Sequence, residues 1–179
     1  VIVVGAGPVG LTLALALGRE GRRVTLLEKR SGLRESSRAI GITPASLELF
    51  RRYGVVDELL SRGVKVTEAR VIGDRREIRR LDFATLDSPF RFILTLPQRE
   101  TESILLQAVE RMPSVHLLRE WEATDYREEV AGATVLGKRK GEALIARGRY
   151  VCGCDGKWST LRSAAGISRR GSALVDTFY

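Results

Sequence analysis

The chain has 179 residues, 44% of them hydrophobic and 29% charged, with a net charge of +8. That is enough for one real core, near the upper end of a single ordinary domain, and no apolar run approaches the roughly 20 residues that cross a bilayer. The basic residues are scattered, nearly all are arginine, and no aromatics interleave with them, so a soluble globular protein is expected, without a nucleic-acid platform and without a membrane segment.

In chain order, residues 1–4 are a β-branched run, the mark of a strand buried on both faces. Glycines break the run, residues 11–19 have helical composition, Gly21 stops that helix, and residues 23–27 form a second strand. Short connections and a right-handed crossover make the two strands parallel neighbours. Residues 30–42 read as a polar loop. A helix follows from Pro44, with Leu47, Leu49, Phe50 and Tyr53 as its apolar stripe and Gly54 as its close, then a short helix at 56–61. Short apolar runs with charged turns over 64–96 predict antiparallel strands. An amphipathic helix is expected over 100–111, a strand at 115–118, a hairpin over 124–136 turning at Ala131-Gly132, a strand at 149–154 and a helix at 159–165.

Cys152 and Cys154 alternate along one strand face, which is neither a metal pair nor a redox Cys-x-x-Cys, so they read as buried thiols of a reducing cytoplasm. His116 reads as a half-exposed strand residue. With a single histidine and no cysteine cluster, no metal site is expected. The chain opens inside an apolar run without methionine and stops after Phe178-Tyr179 with no polar tail, so a fragment of a longer polypeptide is expected.

The first chemical motif is Gly5, Gly7 and Gly10, spaced Gly-x-Gly-x-x-Gly between the first strand and the first helix. The first glycine permits the tight turn, the second the approach of a pyrophosphate, and the third close packing of helix on strand. The helix N-terminus then presents N–H groups to phosphate. Glu28 ends the second strand, 18 residues after Gly10. A carboxylate there accepts from both ribose hydroxyls and repels a 2′-phosphate, which predicts FAD or NAD rather than NADP at this site. After Glu28 the chain leaves the α/β alternation of a simple NAD dehydrogenase, which favours a flavoprotein.

Residues 150–162 read Tyr-Val-Cys-Gly-Cys-Asp-Gly-Lys-Trp-Ser-Thr-Leu-Arg. This segment resembles the Asp-Gly fingerprint of the single-component FAD-dependent aromatic hydroxylases, the para-hydroxybenzoate hydroxylase-like (group A) flavoprotein monooxygenases. Gly153, Asp155, Gly156, Ser159 and Arg162 carry the match. Ser37-Arg38-Ala39-Ile40-Gly41 is similar to the family's Arg-Ala-x-Gly segment, and Leu96-Pro97-Gln98-Arg99 to the segment whose glutamine reaches the ribityl chain. The family's later Gly-Asp motif, which wraps the ribityl chain and flavin ring, is absent from these residues.

The resemblance implies an α/β, Rossmann-type FAD-binding domain of the two-dinucleotide, glutathione-reductase-like kind, with inserted antiparallel strands of a substrate lobe. Residues 1–63 would be the FAD-binding βαβ unit and its helices, 64–96 part of the substrate lobe, and 97–179 the return to the FAD domain. Arg38 would lie over the pyrophosphate or ribose, Gln98 against the ribityl or phosphate region, and Asp155 with Gly156 near the diphosphate, where that strand also affects nicotinamide binding. Arg162 would orient Asp155 as a salt-bridge partner. Pro8, Val9, Lys29, Arg30 and Glu122 complete the candidate cofactor-binding set. No catalytic base is named.

The activity implied is monooxygenation: NAD(P)H reduces FAD, dioxygen forms the flavin C4a-hydroperoxide, and an aromatic or polyketide-like small molecule is hydroxylated. The alternatives are another FAD-dependent oxidoreductase of this fold, a reductase or cyclase, or a non-catalytic nucleotide-binding module. The sequence leaves the substrate, the choice of NADH or NADPH, and the oligomeric state open.

Overall fold

The apolar opening becomes strand β1 (Ile2–Val4) in a computed structural model that describes residues 1–33 and 40–171, and all three of its residues are buried. Helix α1 (Pro8–Arg19) follows, with proline in its first turn, where its fixed φ fits and its missing N–H costs nothing. Gly21 stops α1 at φ +69°, its N–H returning to the Gly18 carbonyl at 3.0 Å. Strand β2 (Val24–Glu28) then runs parallel to β1, Ile2 opposite Thr25 and Val4 opposite Leu27.

Beyond the loop come β3 (Gly41–Ile42), α2 (Pro44–Arg52), α3 (Val56–Arg62), β4 (Val64–Val66), and the strands β5 (Glu68–Gly73) and β6 (Arg76–Asp82). A 3-10 turn (Phe83–Thr85), β7 (Ile93–Thr95) and α4 (Gln98–Glu110) follow. The chain continues with β8 (Val115–Arg119), β9 (Glu122–Glu129), β10 (Gly132–Arg139), β11 (Glu142–Gly148), β12 (Val151–Gly153) and α5 (Thr160–Ala164). Helix α4 begins two residues before the expected Glu100, because Pro97 serves as its N-cap and Gln98 lies inside the first turn.

The central sheet is parallel, in the order β12-β1-β2-β8. With its period of two, β1 serves both faces. Val3 packs with Leu26, Leu11, Leu15, Ile104 and Leu105 on the helical side. Ile2 and Val4 pack with Leu27, Trp121 and Val135 on the other side, under the antiparallel sheet β11-β10-β9. Burying each such side chain contributes about 1.5–3 kcal/mol, and β1 and β2 share this burial with α1 and α4, whose Leu11, Leu15, Ile104 and Leu105 pack on Val3 and Leu26.

The expected hairpin over 124–136 is corrected to a three-stranded sheet. Its first turn falls at Val130-Ala131, and β11 pairs along β10 from Ala133–Gly148 to Arg139–Glu142. Strand β11 escaped the sequence reading because only alternate positions, among them Leu144 and Ala146, turn toward the core, while Ile145 is exposed. The segment 64–96 is antiparallel: β4 and β3 flank β7, and β5 pairs with β6. The β5–β6 turn sets Asp74 and Arg75 at φ +48° and +60°, as the twist of a two-residue hairpin turn requires. Arg70 and Arg80 of this hairpin are paired with Glu68 and Glu77.

His116 is exposed on β8 rather than half-exposed. Cys152 and Cys154 are free and half-buried rather than fully buried, and both pack against the helical-side core. No helix among the described residues is long and apolar enough to cross a membrane.

Candidate functional site

The glycine loop sits where β1, β2 and β12 end together. Gly5 takes φ +101°, and a β-carbon there would stand 2.4 Å from the Cys154 carbonyl oxygen. A β-carbon on Gly10 would meet the Gly5 carbonyl oxygen at 1.8 Å. Both glycines are demanded by the chain itself. Gly7 is different: it has φ −80° and ψ −175°, ordinary extended values, and a β-carbon on it would meet nothing within 4 Å. Nothing inside the fold asks for a glycine at position 7, and Gly7 faces an open cleft.

Helix α1 starts at that cleft. Gly7 is its N-cap and takes up the Leu11 N–H at 2.9 Å, leaving the Val9 and Gly10 N–H groups ahead of the first helical carbonyl. The first turn carries no acidic side chain, so the positive end of the helix dipole is uncompensated by the chain's own residues.

Glu28 closes the floor. It is 4% exposed. Its Oε2 accepts the Ala6 N–H at 2.8 Å and Arg30 Nη2 at 3.3 Å, and its Oε1 accepts the Arg30 N–H at 2.9 Å and Arg30 Nε at 2.8 Å. Burial pushes this carboxyl up, but the hydrogen bonds from Arg30 and Ala6 outweigh it and hold the group below the usual glutamate range. Arg30 shields Glu28 from the cleft, while Lys29 beside it is exposed.

The opposite wall comes from α4 and the stretch after β12. Gln98 Nε2 donates to Glu102 Oε1 at 2.7 Å, one turn further along the helix. Glu102 is 1% exposed, and its Oε2 is buried with no partner among the described residues. Asp155 Oδ2 accepts the Leu161 N–H at 3.2 Å, Ser159 Oγ caps α5 by accepting the Arg162 N–H at 2.9 Å, and Asp155 Oδ1 is buried without a partner among the described residues. Gly156 turns the chain at φ +88°.

Gly5, Gly7, Pro8, Val9, Glu28, Lys29, Arg30, Gln98, Glu122, Asp155 and Gly156 therefore line one cleft, with Gly10 supporting its loop. Arg38 lies outside the described residues. Glu122 is drawn partly away from the cleft by Lys138 Nζ at 3.3 Å.

The Asp155–Arg162 salt bridge is corrected. No ion pair joins the two among the described residues. Asp155 is engaged by the N-terminus of α5, and Arg162 Nη1 turns back to the Lys157 carbonyl at 3.0 Å, on the rim of a separate concavity.

Glu102, Trp121 and Trp158 are among the lining residues not read from the sequence. The signal for Glu102 is its place four residues after Gln98, which puts the two on one face of a helix. Trp158 is 73% exposed, with Lys157 Nζ and Arg169 Cζ at 5.0 and 4.9 Å from its ring centre.

The donor set fits a dinucleotide. The vacant space at Gly7 and the helix start suit phosphates, and the orphaned oxygens of Asp155 and Glu102 suit hydroxyls or cations brought to the wall. Among the described residues, no group of three His, Cys, Asp or Glu side chains is placed to hold a metal ion.

Comparison with known proteins agrees with this geometry. A family model described as FAD binding domain matches residues 1–179. A para-nitrophenol 4-monooxygenase of Pseudomonas sp. strain WBC-3 is 29% identical over 171 residues, 94% of this chain and 42% of the relative. A 6-methylpretetramide 4-monooxygenase of Streptomyces rimosus is 34% identical over 180 residues, 98% of this chain and 43% of the relative. The solved structure of the anhydrotetracycline hydroxylase OxyS from Streptomyces rimosus superposes with a TM-score of 0.86 at 27% identity, covering 96% of this chain and 34% of that one. The chain thus spans less than half the length of each.

Proposed function

The chain belongs to the FAD-binding domain family, and on that premise we propose that it forms the cofactor-holding part of an FAD-dependent monooxygenase that hydroxylates an aromatic or polyketide-like small molecule with NAD(P)H and dioxygen. The observation that carries the cofactor reading is Gly7, a glycine with ordinary backbone angles and open space where its side chain would be. Its smallness serves something that approaches from outside the chain. For the reaction class, the support is that relatives matching nearly all of this chain are named monooxygenases of para-nitrophenol and of 6-methylpretetramide.

Bound FAD supplies two-electron redox chemistry and, once reduced, reactivity toward dioxygen. The residues supply position and charge. Gly5 and Gly10 shape the loop, Gly7 and Pro8 leave room for the diphosphate, and the Val9 and Gly10 N–H groups donate to its oxygens. Arg38, outside the described residues, would add a permanent cation to the diphosphate, as the resemblance implies. Glu28 accepts the ribose hydroxyls, with Lys29, Arg30 and Glu122 around the adenosine half. Gln98 hydrogen-bonds the ribityl or phosphate region. The unpartnered Asp155 Oδ1 takes a hydroxyl beside the diphosphate, Gly156 keeps the backbone close, and Arg162 acts as a positioning residue by pinning the Lys157 carbonyl.

In this reading residues 1–63 and 97–179 hold the flavin, and 64–96 belong to the lobe that meets the substrate. Free thiols at Cys152 and Cys154 are in keeping with a reducing, cytoplasmic setting. Arginines paired with carboxylates along the β5–β6 hairpin are in keeping with a solvated basic surface rather than a nucleic-acid face.

The test is made on the purified complete polypeptide. A visible flavin spectrum, release of FAD on denaturation, bleaching by NADH or NADPH, and transfer of one atom of labelled dioxygen into an aromatic product are expected. A colourless protein that takes up no added FAD overturns the reading, and label that never enters product overturns its monooxygenase part.

A further inference from the structure

Glu28 and Arg30 raise a conflict that the cleft itself can resolve. A carboxylate has about four acceptor positions, and Glu28 uses all four: one for the Ala6 N–H and three for Arg30, through its backbone N–H, Nε and Nη2. Ribose hydroxyls cannot bond to Glu28 while the guanidinium stays. The Ala6 and Arg30 backbone donors are fixed by the loop and strand end, so only the Arg30 side chain, held at 2.8 and 3.3 Å, can leave.

The Arg30 side chain is 29% exposed, so on leaving Glu28 its guanidinium turns either to solvent or to a second carboxylate of the cleft. Glu102 lines the same cleft, is 1% exposed, and has Oε2 without a partner among the described residues. Its other oxygen is anchored by Gln98 Nε2 at 2.7 Å, which fixes the carboxylate in place. A buried carboxylate oxygen left unpaired is costly unless some state of the protein pairs it. The charge of Glu102 already reaches Arg30: the hydrogen bond to Glu28 raises the guanidinium's pKa, burial lowers it, and the charges of Glu28 and then Glu102 raise it again.

We propose that Arg30 is a two-seat latch, docked on Glu28 in the open cleft and transferred to Glu102 Oε2 when the adenosine ribose takes its place on Glu28. The inference rests on the FAD reading above and adds Glu102 as a positioning residue. It makes cofactor entry an exchange of partners rather than a simple filling of space, and it gives Glu102 Oε2 its partner in the bound state.

The test is a double-mutant cycle on FAD binding to the flavin-stripped complete polypeptide, followed by quenching of flavin fluorescence, with no turnover required. Glu102→Gln keeps the size and the acceptor for Gln98 but removes the seat, so FAD should bind at least about tenfold more weakly, the value of one charge-assisted hydrogen bond. In an Arg30→Ala background the same Glu102→Gln change should alter affinity less than about twofold, since no guanidinium remains to be seated. Equal weakening in both backgrounds, or no weakening with Arg30 present, overturns the latch while leaving FAD binding intact. Arg30→Ala alone provides a readout that does not depend on Glu102→Gln folding: the latch predicts faster FAD association, and an unchanged or slower rate overturns it. If the unaltered protein binds no FAD, the latch falls together with the function it rests on.

Discussion

Gly10 lies so close to Gly5 that a β-carbon on Gly10 would stand 1.8 Å from the Gly5 carbonyl oxygen. The contact joins the first turn of α1 to the end of β1 and leaves no room for adjustment, because the obstacle is backbone. Gly7, between them, meets nothing.

The two glycines should therefore fail differently. Gly10→Ala is expected to lower the melting temperature sharply and to lose flavin with it. Gly7→Ala is expected to melt within about 4 °C of the unaltered apoprotein, since replacing a glycine with open space and ordinary backbone angles shifts stability by no more than about 1 kcal/mol, and yet to lose FAD. Differential scanning fluorimetry beside a flavin titration separates the two. If Gly7→Ala kept FAD, the cleft would not hold a diphosphate at that loop.

Glu28→Gln should lose both a structural and a binding role. Replacing the carboxylate leaves the Arg30 guanidinium half-buried without its anion, and a charged hydrogen bond of this kind is worth about 1.5–3 kcal/mol. Urea unfolding of the apoprotein should register a loss of that order, discounted because Arg30 is partly exposed. FAD affinity should drop as well.

The same carboxylate sets an acid limit. Its pKa is held below the unfolded value, so the folded state keeps it ionised where the unfolded chain would bind a proton. Its contribution is fully present above the ordinary glutamate range and is lost as the pH falls through the lower folded value. FAD affinity should be flat from neutral pH down to that range and fall only below it. A decline beginning near pH 6–7 would point to a group other than Glu28.

Cys154 lines the cleft floor behind Gly5 and Gly10. Burial chiefly, with Cys152 and Asp155 adding, pushes its thiol pKa up. Since the thiolate is the reactive species, alkylation by iodoacetamide at mildly alkaline pH should be slower at Cys154 than at a free thiol, and slower still with FAD bound. Peptide mapping after timed labelling reads both rates; fast labelling unaffected by FAD would place the thiol away from the cofactor.

Much of this site was legible because its signals are local. The glycine spacing, the buried strand before it and the acid 18 residues later lie within the first 28 residues, and all three depend on backbone sterics. Glu102 was invisible for the opposite reason. In Gln98–Glu110 it sits among Arg99, Glu100 and Glu110, where a carboxylate reads as solvated, and only the packing of α4 against α1 and the strand ends buries it. The Asp155–Arg162 pairing was misread because a carboxylate ahead of a helix accepts a backbone N–H as readily as a guanidinium: Asp155 takes the Leu161 N–H, and Arg162 bonds the Lys157 carbonyl. Strand β11 was missed because a strand with one half-covered face looks, in composition, like a loop.

Strand β1 has only three residues, yet Val3 belongs to one core and Ile2 with Val4 to the other. A strand shared in this way acts as a rivet through both layers, with the glycine loop as its head. Loosening on either side, by a mutation under the helices or beneath the antiparallel sheet, reaches the glycine loop through β1 itself. The Gly5 N–H, held by the Leu27 carbonyl at 2.7 Å, should then exchange with solvent deuterium only when the whole sandwich opens, and its protection would serve as a gauge of the integrity of both layers at once.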